Sequence, residues 1–234
     1  MTQPTSTETI GSAISQLRWH VEPALEDEFN RWYDEEHLAD LLAQPGVVSG
    51  RRFVRAPTAF SAPSELNYIT IYQLHDTSVL ETPSYRAMAT ALSEWTKRVA
   101  MTLPMRRDIA TQIYPTSHAE SQPVGDAIMH VFTHADASIV DDFHRWYEEE
   151  HIPALVACDG VFGARRFACT TPEADGYEFV AIYQLADISV VQSGAVAEAG
   201  KPTPWRARLG DKMRAHFQVY RALHAPIAGS PSGA

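Results

Sequence analysis

The chain has 234 residues, 45% hydrophobic and 21% charged, a globular composition with room for one large domain or two smaller ones. Its formal net charge of −10 excludes nucleic acid and anionic membrane as main partners, because phosphate binding needs a basic field, and leaves a small molecule as the expected partner. Cys158 and Cys169 both lie in the second half and form no shared framework or metal set. With a start (1–11) that lacks the basic and apolar regions of a signal peptide, and no apolar run of about 18 residues, they point to a cytoplasmic protein.

In chain order, a short apolar strand (Ile14 to His20) precedes a helix over about 24–43. The acidic start of that helix, Glu26, Asp27 and Glu28, suits the positive end of a helix dipole, and Gly46 stands where a left-handed residue ends a helix. Strands follow at Val47 to Arg55 and Asn67 to His75, separated by a loop rich in Pro, Ser and Ala from Ala56 to Ser64. A second helix is expected from about Ser84 to Leu103, then a strand from Arg107 to Tyr114.

The same string then starts again. Residues 29–37 read Phe-Asn-Arg-Trp-Tyr-Asp-Glu-Glu-His and residues 143–151 read Phe-His-Arg-Trp-Tyr-Glu-Glu-Glu-His, identical at seven of nine positions. At the same offset of 114, Arg51-Arg52-Phe53 faces Arg165-Arg166-Phe167; at offset 111, Ile71-Tyr72-Gln73-Leu74 faces Ile182-Tyr183-Gln184-Leu185. Such order over a long span reads as an internal duplication. The second copy gives a strand at Ala127 to His134, a helix over 138–157, strands at Val161 to Thr170 and Tyr177 to Ala186, a loop at Thr171 to Asp175, and a last strand at Met213 to Tyr220. Gly194, Gly200, Pro202 and Pro204 make its second helix short or broken.

The fold class is therefore α+β: two tandem ferredoxin-like β-α-β-β-α-β units whose antiparallel sheets pack their bare faces together. The expected boundaries are a disordered N-terminal tail (1–12), a first unit (13–115), a linker (116–125), a second unit (126–223) and a disordered C-terminal tail (224–234).

On a helix, residues four apart share a face, so Phe29, Tyr33, His37 and Leu41 form a row that Phe143, Tyr147, His151 and Leu155 repeat. A histidine inside an apolar stripe titrates near neutrality and can transfer protons. His37 and His151 are the catalytic candidates, with Tyr33 and Tyr147 to orient them or a substrate oxygen. Trp32 and Trp146 flank the row. Strand alternation sends one arginine of each Arg-Arg pair to each sheet face, so Arg52 and Arg166 are candidates for binding a substrate oxygen, and His20 and His134 for lining the same cavity. The plainer reading makes the aromatic rings core and the histidines structural hydrogen-bonders. Glu35-Glu36 and Glu149-Glu150 read as solvated or paired with Arg31 and Arg145. There is no Gly-x-Gly-x-x-Gly, Walker loop, His-Glu-x-x-His or Gly-x-Ser-x-Gly, so a nucleotide cofactor, zinc and a serine nucleophile lack support.

The pattern Phe-x-x-Trp-Tyr-x-x-Glu-His-(Leu/Ile), then Pro-Gly-Val or Asp-Gly-Val, then Arg-Arg-Phe, resembles the dimeric α/β-barrel superfamily and within it the EthD-like branch, over about 13–114 and 127–220. The resemblance implies a barrel supplied by one chain, with homo-oligomerisation left open, and a site between a sheet and its own helices that often uses a histidine. It also implies that the weak second helix of the second half makes the two cavities unequal. The expected function is a cofactor-independent lyase, isomerase, cyclase or dehydratase moving protons through His37 or His151 on a small apolar or aromatic oxygenated compound. No cofactor and no metal are expected. The alternatives are a haem-binding or cofactor-free oxygenase and a non-catalytic ligand-binding protein.

Overall fold

The structure is a computed structural model that describes residues 2–58, 64–117, 119–170 and 176–230. Parts of the two expected loops (59–63 and 171–175), His118 of the expected linker and the last four residues of the expected tail lie outside the described residues.

Strands β1 (Ser6–Thr9), β2 (Ala13–Trp19), β3 (Val47–Arg55), β4 (Tyr68–Leu74) and β5 (Met105–Tyr114) belong to the first half. Strands β6 (Ser121–Val124), β7 (Ala127–Ala135), β8 (Val161–Cys169), β9 (Phe179–Leu185) and β10 (Met213–Ala222) repeat that series, and β11 (Ile227–Ala228) ends it. The order β10-β7-β9-β8-β5-β2-β4-β3, with β3 pairing back onto β10, closes an eight-stranded antiparallel barrel. Each half contributes four strands. The seams are β5 on β8, aligned from Ala110 opposite Cys169 to Tyr114 opposite Arg166, and β10 on β3, aligned from Tyr220 opposite Arg55 to Ala222 opposite Phe53. Closure removes the exposed edges that two open sheets would present.

The inward residues form one apolar cluster that includes Ile14, Phe53, Ile71, Phe132, Phe167 and Ile182. A polar chain runs through it. Arg18 Nε and Nη2 donate to Asp108 Oδ2 at 3.1 and 3.0 Å, Gln16 Nε2 donates to the same oxygen at 3.1 Å, and Gln16 Oε1 lies 2.8 Å from His130 Nε2. Gln16 and His130 hold the same place in the two halves and meet on the barrel's approximate two-fold axis.

Three expectations fail at the chain's periphery. Residues 6–9, expected as disordered, and 121–124, expected as linker, pair as β1 and β6 across one barrel end. Glu8 is buried there, accepting from Ser49 Oγ at 3.2 Å and Gln122 Nε2 at 2.9 Å. Part of the expected disordered tail, β11, pairs with β3. These segments are very short, two to four residues, and only pairing partners far along the chain reveal them.

The helices cover the outer faces. The first runs through 26–42 and its counterpart through 140–156. Gly46 (φ 88°) and Gly160 (φ 86°) turn the chain back into β3 and β8. A Cβ would come within 2.5 Å of Val79 Cγ2 at the first and 2.7 Å of Val190 Cγ2 at the second. The expected single helix from Ser84 to Leu103 is two, Pro83–Thr90 and Glu94–Ala100, because the Ser93 side chain caps a new start by accepting from Thr96 N–H. The second half has the short pieces Gly194–Ala199 and Pro204–Leu209, as its glycines and prolines imply.

Candidate active site

Both long helices widen at the repeated motif. Tyr33–His37 and Tyr147–His151 form π-helical turns, so the expected four-residue row is broken there. A π turn brings residues five apart into register, and such turns often mark functional sites. His37 lies flat on Trp32, ring centres 4.5 Å apart and planes 21° apart; His151 lies on Trp146 at 4.5 Å and 20°. Tyr33 and Tyr147 stand edge-on to these imidazoles at 4.9 and 5.1 Å.

Burial pushes both imidazoles down to about 4. Glu36 opposes the shift at His37, where Arg52 and Arg107 add to it. At His151 Arg206 and Arg166 add to the shift, and Glu150 opposes it. Both are therefore neutral at pH 7. His37 Nε2 is buried without a hydrogen-bond partner among the described residues. His151 instead lines a cavity of about 580 Å³ between the sheet and the outer helices of the second half. Its walls are largely apolar, with Met129, Val131, Leu155, Val196, Met213 and Phe217 among them. Trp146 and Tyr147 form one side, and Lys201 and Arg206 supply positive charge. Burial raises the Tyr147 hydroxyl, so it stays protonated, and it lies 3.4 Å from Thr133 Oγ1.

The other candidates lie elsewhere. Arg52 is buried under the first helix, donating to Asp34 and, at 2.6 Å, to Asn30 Oδ1, with its guanidinium 4.3 Å from the Tyr33 ring centre. Arg166 contacts His144 Nδ1 at 2.9 Å and sits 4.2 Å from the Tyr147 ring centre. Neither lines the His151 cavity. Their neighbours Arg51 and Arg165 point into the barrel, as alternation requires. His20 pairs with Glu22 and His134 with Glu178 at the far strand ends, away from both stacked histidines.

Sequence reasoning missed the job of the glutamate before each histidine. Arg31–Glu35 and Arg145–Glu149 pair on the surface as expected. Glu36 instead accepts from Ser93 and Thr96, and Glu150 accepts from Trp146 Nε1 at 2.9 Å and Thr203 Oγ1 at 2.5 Å. Each carboxylate thus fixes the start of an outer helix over the stacked pair. The Glu-His dipeptide in both copies, together with Ser93 and Thr203 before helical runs, was the available signal.

No family profile matches the sequence, and a comparison with curated proteins finds no match. Solved structures do match along nearly the whole chain. An anthrone oxidase-like protein aligns with TM-score 0.56 and 10% identity over 98% of this chain and 99% of that one. A protein assigned as a chlorite dismutase gives 0.58 and 13% over 91% and 94%. A variant of the chlorite dismutase from Candidatus Nitrospira defluvii gives 0.56 and 9% over 90% and 91%.

These likenesses correct the expectation that no cofactor is used, since chlorite dismutases stand among the neighbours and the fold family includes haem-binding members. The donor chemistry here fits a haem: His151 is neutral, has no hydrogen-bond partner among the described residues and faces an apolar cavity, where Lys201 and Arg206 could meet carboxylates. Among the described residues no cluster of three His, Cys, Asp or Glu could hold a bare metal ion. In architecture the chain is a dimeric α/β barrel, closed by eight antiparallel strands within a single polypeptide.

Proposed function

We propose that the chain is an oxygenase-type enzyme whose substrate, a small and mostly apolar or aromatic oxygenated compound, reacts in the second-half cavity. The observation that carries this reading is a neutral His151 on the wall of an apolar cavity of about 580 Å³. The fold shared with an anthrone oxidase-like protein and with chlorite dismutases supports oxidative chemistry over simple isomerisation. His151 accepts a proton from a weakly acidic C–H or O–H of the substrate; the resulting electron-rich anion adds to dioxygen, the co-substrate, which is reduced to a bound peroxide that takes the proton back from His151. Arg206 and Lys201 stabilise that anion, the Tyr147 hydroxyl orients its oxygen, and the apolar walls exclude water. If haem binds, His151 is the residue that would hold it, and the group would supply the redox chemistry. His37, Tyr33 and Trp32 have the same stacked arrangement, with His37 Nε2 buried and unpartnered among the described residues, and Arg52 and Arg166 position the helices. We assign the two halves to a duplication of one EthD-like unit, on the strength of the repeated motif and the matching strand series.

Oxygen uptake with anthrone as the probe, with and without added haem, tests the proposal. Wild type should consume oxygen in at least one condition, and His151→Ala should lose at least 100-fold. A Soret band that forms in wild type and His37→Ala but not in His151→Ala would identify haem as the group held. Equal uptake by wild type and His151→Ala in both conditions would end the proposal.

A further inference from the structure

The barrel has two different ends. One is closed by the β1–β6 ribbon and Glu8. The other opens into a cavity of about 730 Å³ that shares no lining residue with the His151 cavity. Strand alternation explains the separation. Along β10, Met213, Ala215 and Phe217 face outward into the His151 cavity, while Arg214, His216, Gln218 and Tyr220 face inward and line the barrel mouth.

The mouth is basic in a chain whose net charge is −10. Arg18, Arg106 and Arg214 reach it with His20 and His216, whereas Glu65 is the one carboxylate among the lining residues described. Asp108 lies deeper and is held by Arg18. The mouth also has ring faces. The Arg18 guanidinium sits 4.4 Å over Phe132, His216 stacks on Phe132 at 5.1 Å and 27°, and Tyr177 stands edge-on to His216 at 4.6 Å. Phe132 itself is buried beneath Arg18 and His216, so the part-exposed His216 and Tyr177 present the ring surface, and the exposed Arg106 and Arg214 present the charge. A carboxylate can accept from a guanidinium while its attached ring packs on these faces.

We propose that the open barrel mouth is a second small-molecule site, selective for aromatic carboxylates and separate from the His151 cavity. Arg106 and Arg214 sit at its solvent edge and are both exposed, so their substitution leaves the core intact. Calorimetric titration of the full-length protein with 1-naphthoate, and with 1-naphthalenemethanol as the uncharged counterpart, tests the assignment. Wild type should bind the carboxylate saturably and at least tenfold more tightly than the alcohol. Arg106→Gln/Arg214→Gln should weaken naphthoate at least tenfold with an unchanged melting temperature, and His151→Ala should bind it as wild type does. Equal affinity for acid and alcohol, no saturable binding of either, or full affinity in the double arginine variant would overturn it. Failure here leaves the His151 oxygen-uptake test untouched, since that site lies on the opposite face of the sheet.

Discussion

The two halves share a strand order and seven identical residues in their key helical turn, yet they put different things over it. In the first half the outward strand pairs opposite the helix are Leu17 with Arg107 and Trp19 with Met105. In the second they are Val131 with Phe217 and Thr133 with Ala215. Trp19 packs edge-on against Phe29, Trp32 and Tyr33, and Arg107 donates to the Tyr85 hydroxyl, so large side chains fill the first half beneath the ring on which His37 stacks. The second half has a threonine in place of that tryptophan and a broken outer helix, and its histidine borders open space. A repeated motif therefore specifies a preorganised histidine; what packs against it decides whether a substrate can reach it.

The largest expected difference between the halves is in turnover. His151→Ala should cost about 10²–10⁴-fold, the range for loss of a proton-transfer group, while His37→Ala should stay within about threefold. Equal losses would erase the asymmetry. Stability should show the reverse bias. Trp32→Ala should lose about 3–5 kcal/mol in chemical denaturation. Trp146→Ala should fall at or below the low end of that range, because one side of Trp146 already borders a cavity.

A smaller effect is shared. Both imidazoles have folded values near 4 against an unfolded value near 6.5. Below 6.5 the unfolded chain takes up protons that the folded chain refuses, so stability falls as pH drops from about 6.5 to about 4 and is flat above. Buried His130, pushed well down by burial, adds in the same direction. His37→Gln and His151→Gln should each flatten that slope in melting curves across the window. The smallest effects belong to the exposed pairs Arg31–Glu35 and Arg145–Glu149, where Arg→Ala in either half should change stability by no more than about 1 kcal/mol.

The chain order of strands and helices and the unequal outer helices were legible, because alternation, the repeat offset and the Gly and Pro positions each state a physical constraint; the barrel was implied only by the family resemblance. The π turns were not. A 3.6-residue period placed His37 over Tyr33, whereas the added residue per turn seats it on Trp32. The β1–β6 ribbon was also hidden, since Ser6–Thr9 carries almost no apolar signal and gains its partner only at Ser121–Val124. Arg206 and Lys201 escaped notice because they lie in a segment with no counterpart motif, and only the folded chain brings them to His151.

The contact between Gln16 and His130 has a consequence of its own. In an assembly of two identical subunits, a residue on the symmetry axis faces its own twin. Two histidines so placed would have to adopt opposite tautomers to share one hydrogen. Here the amide of Gln16 gives its hydrogens to Asp108 and leaves its oxygen for the His130 Nε2–H, a directional chain from acid to base that strict symmetry would forbid. Joining both partners on one backbone thus lets the centre of the molecule have a sense of direction.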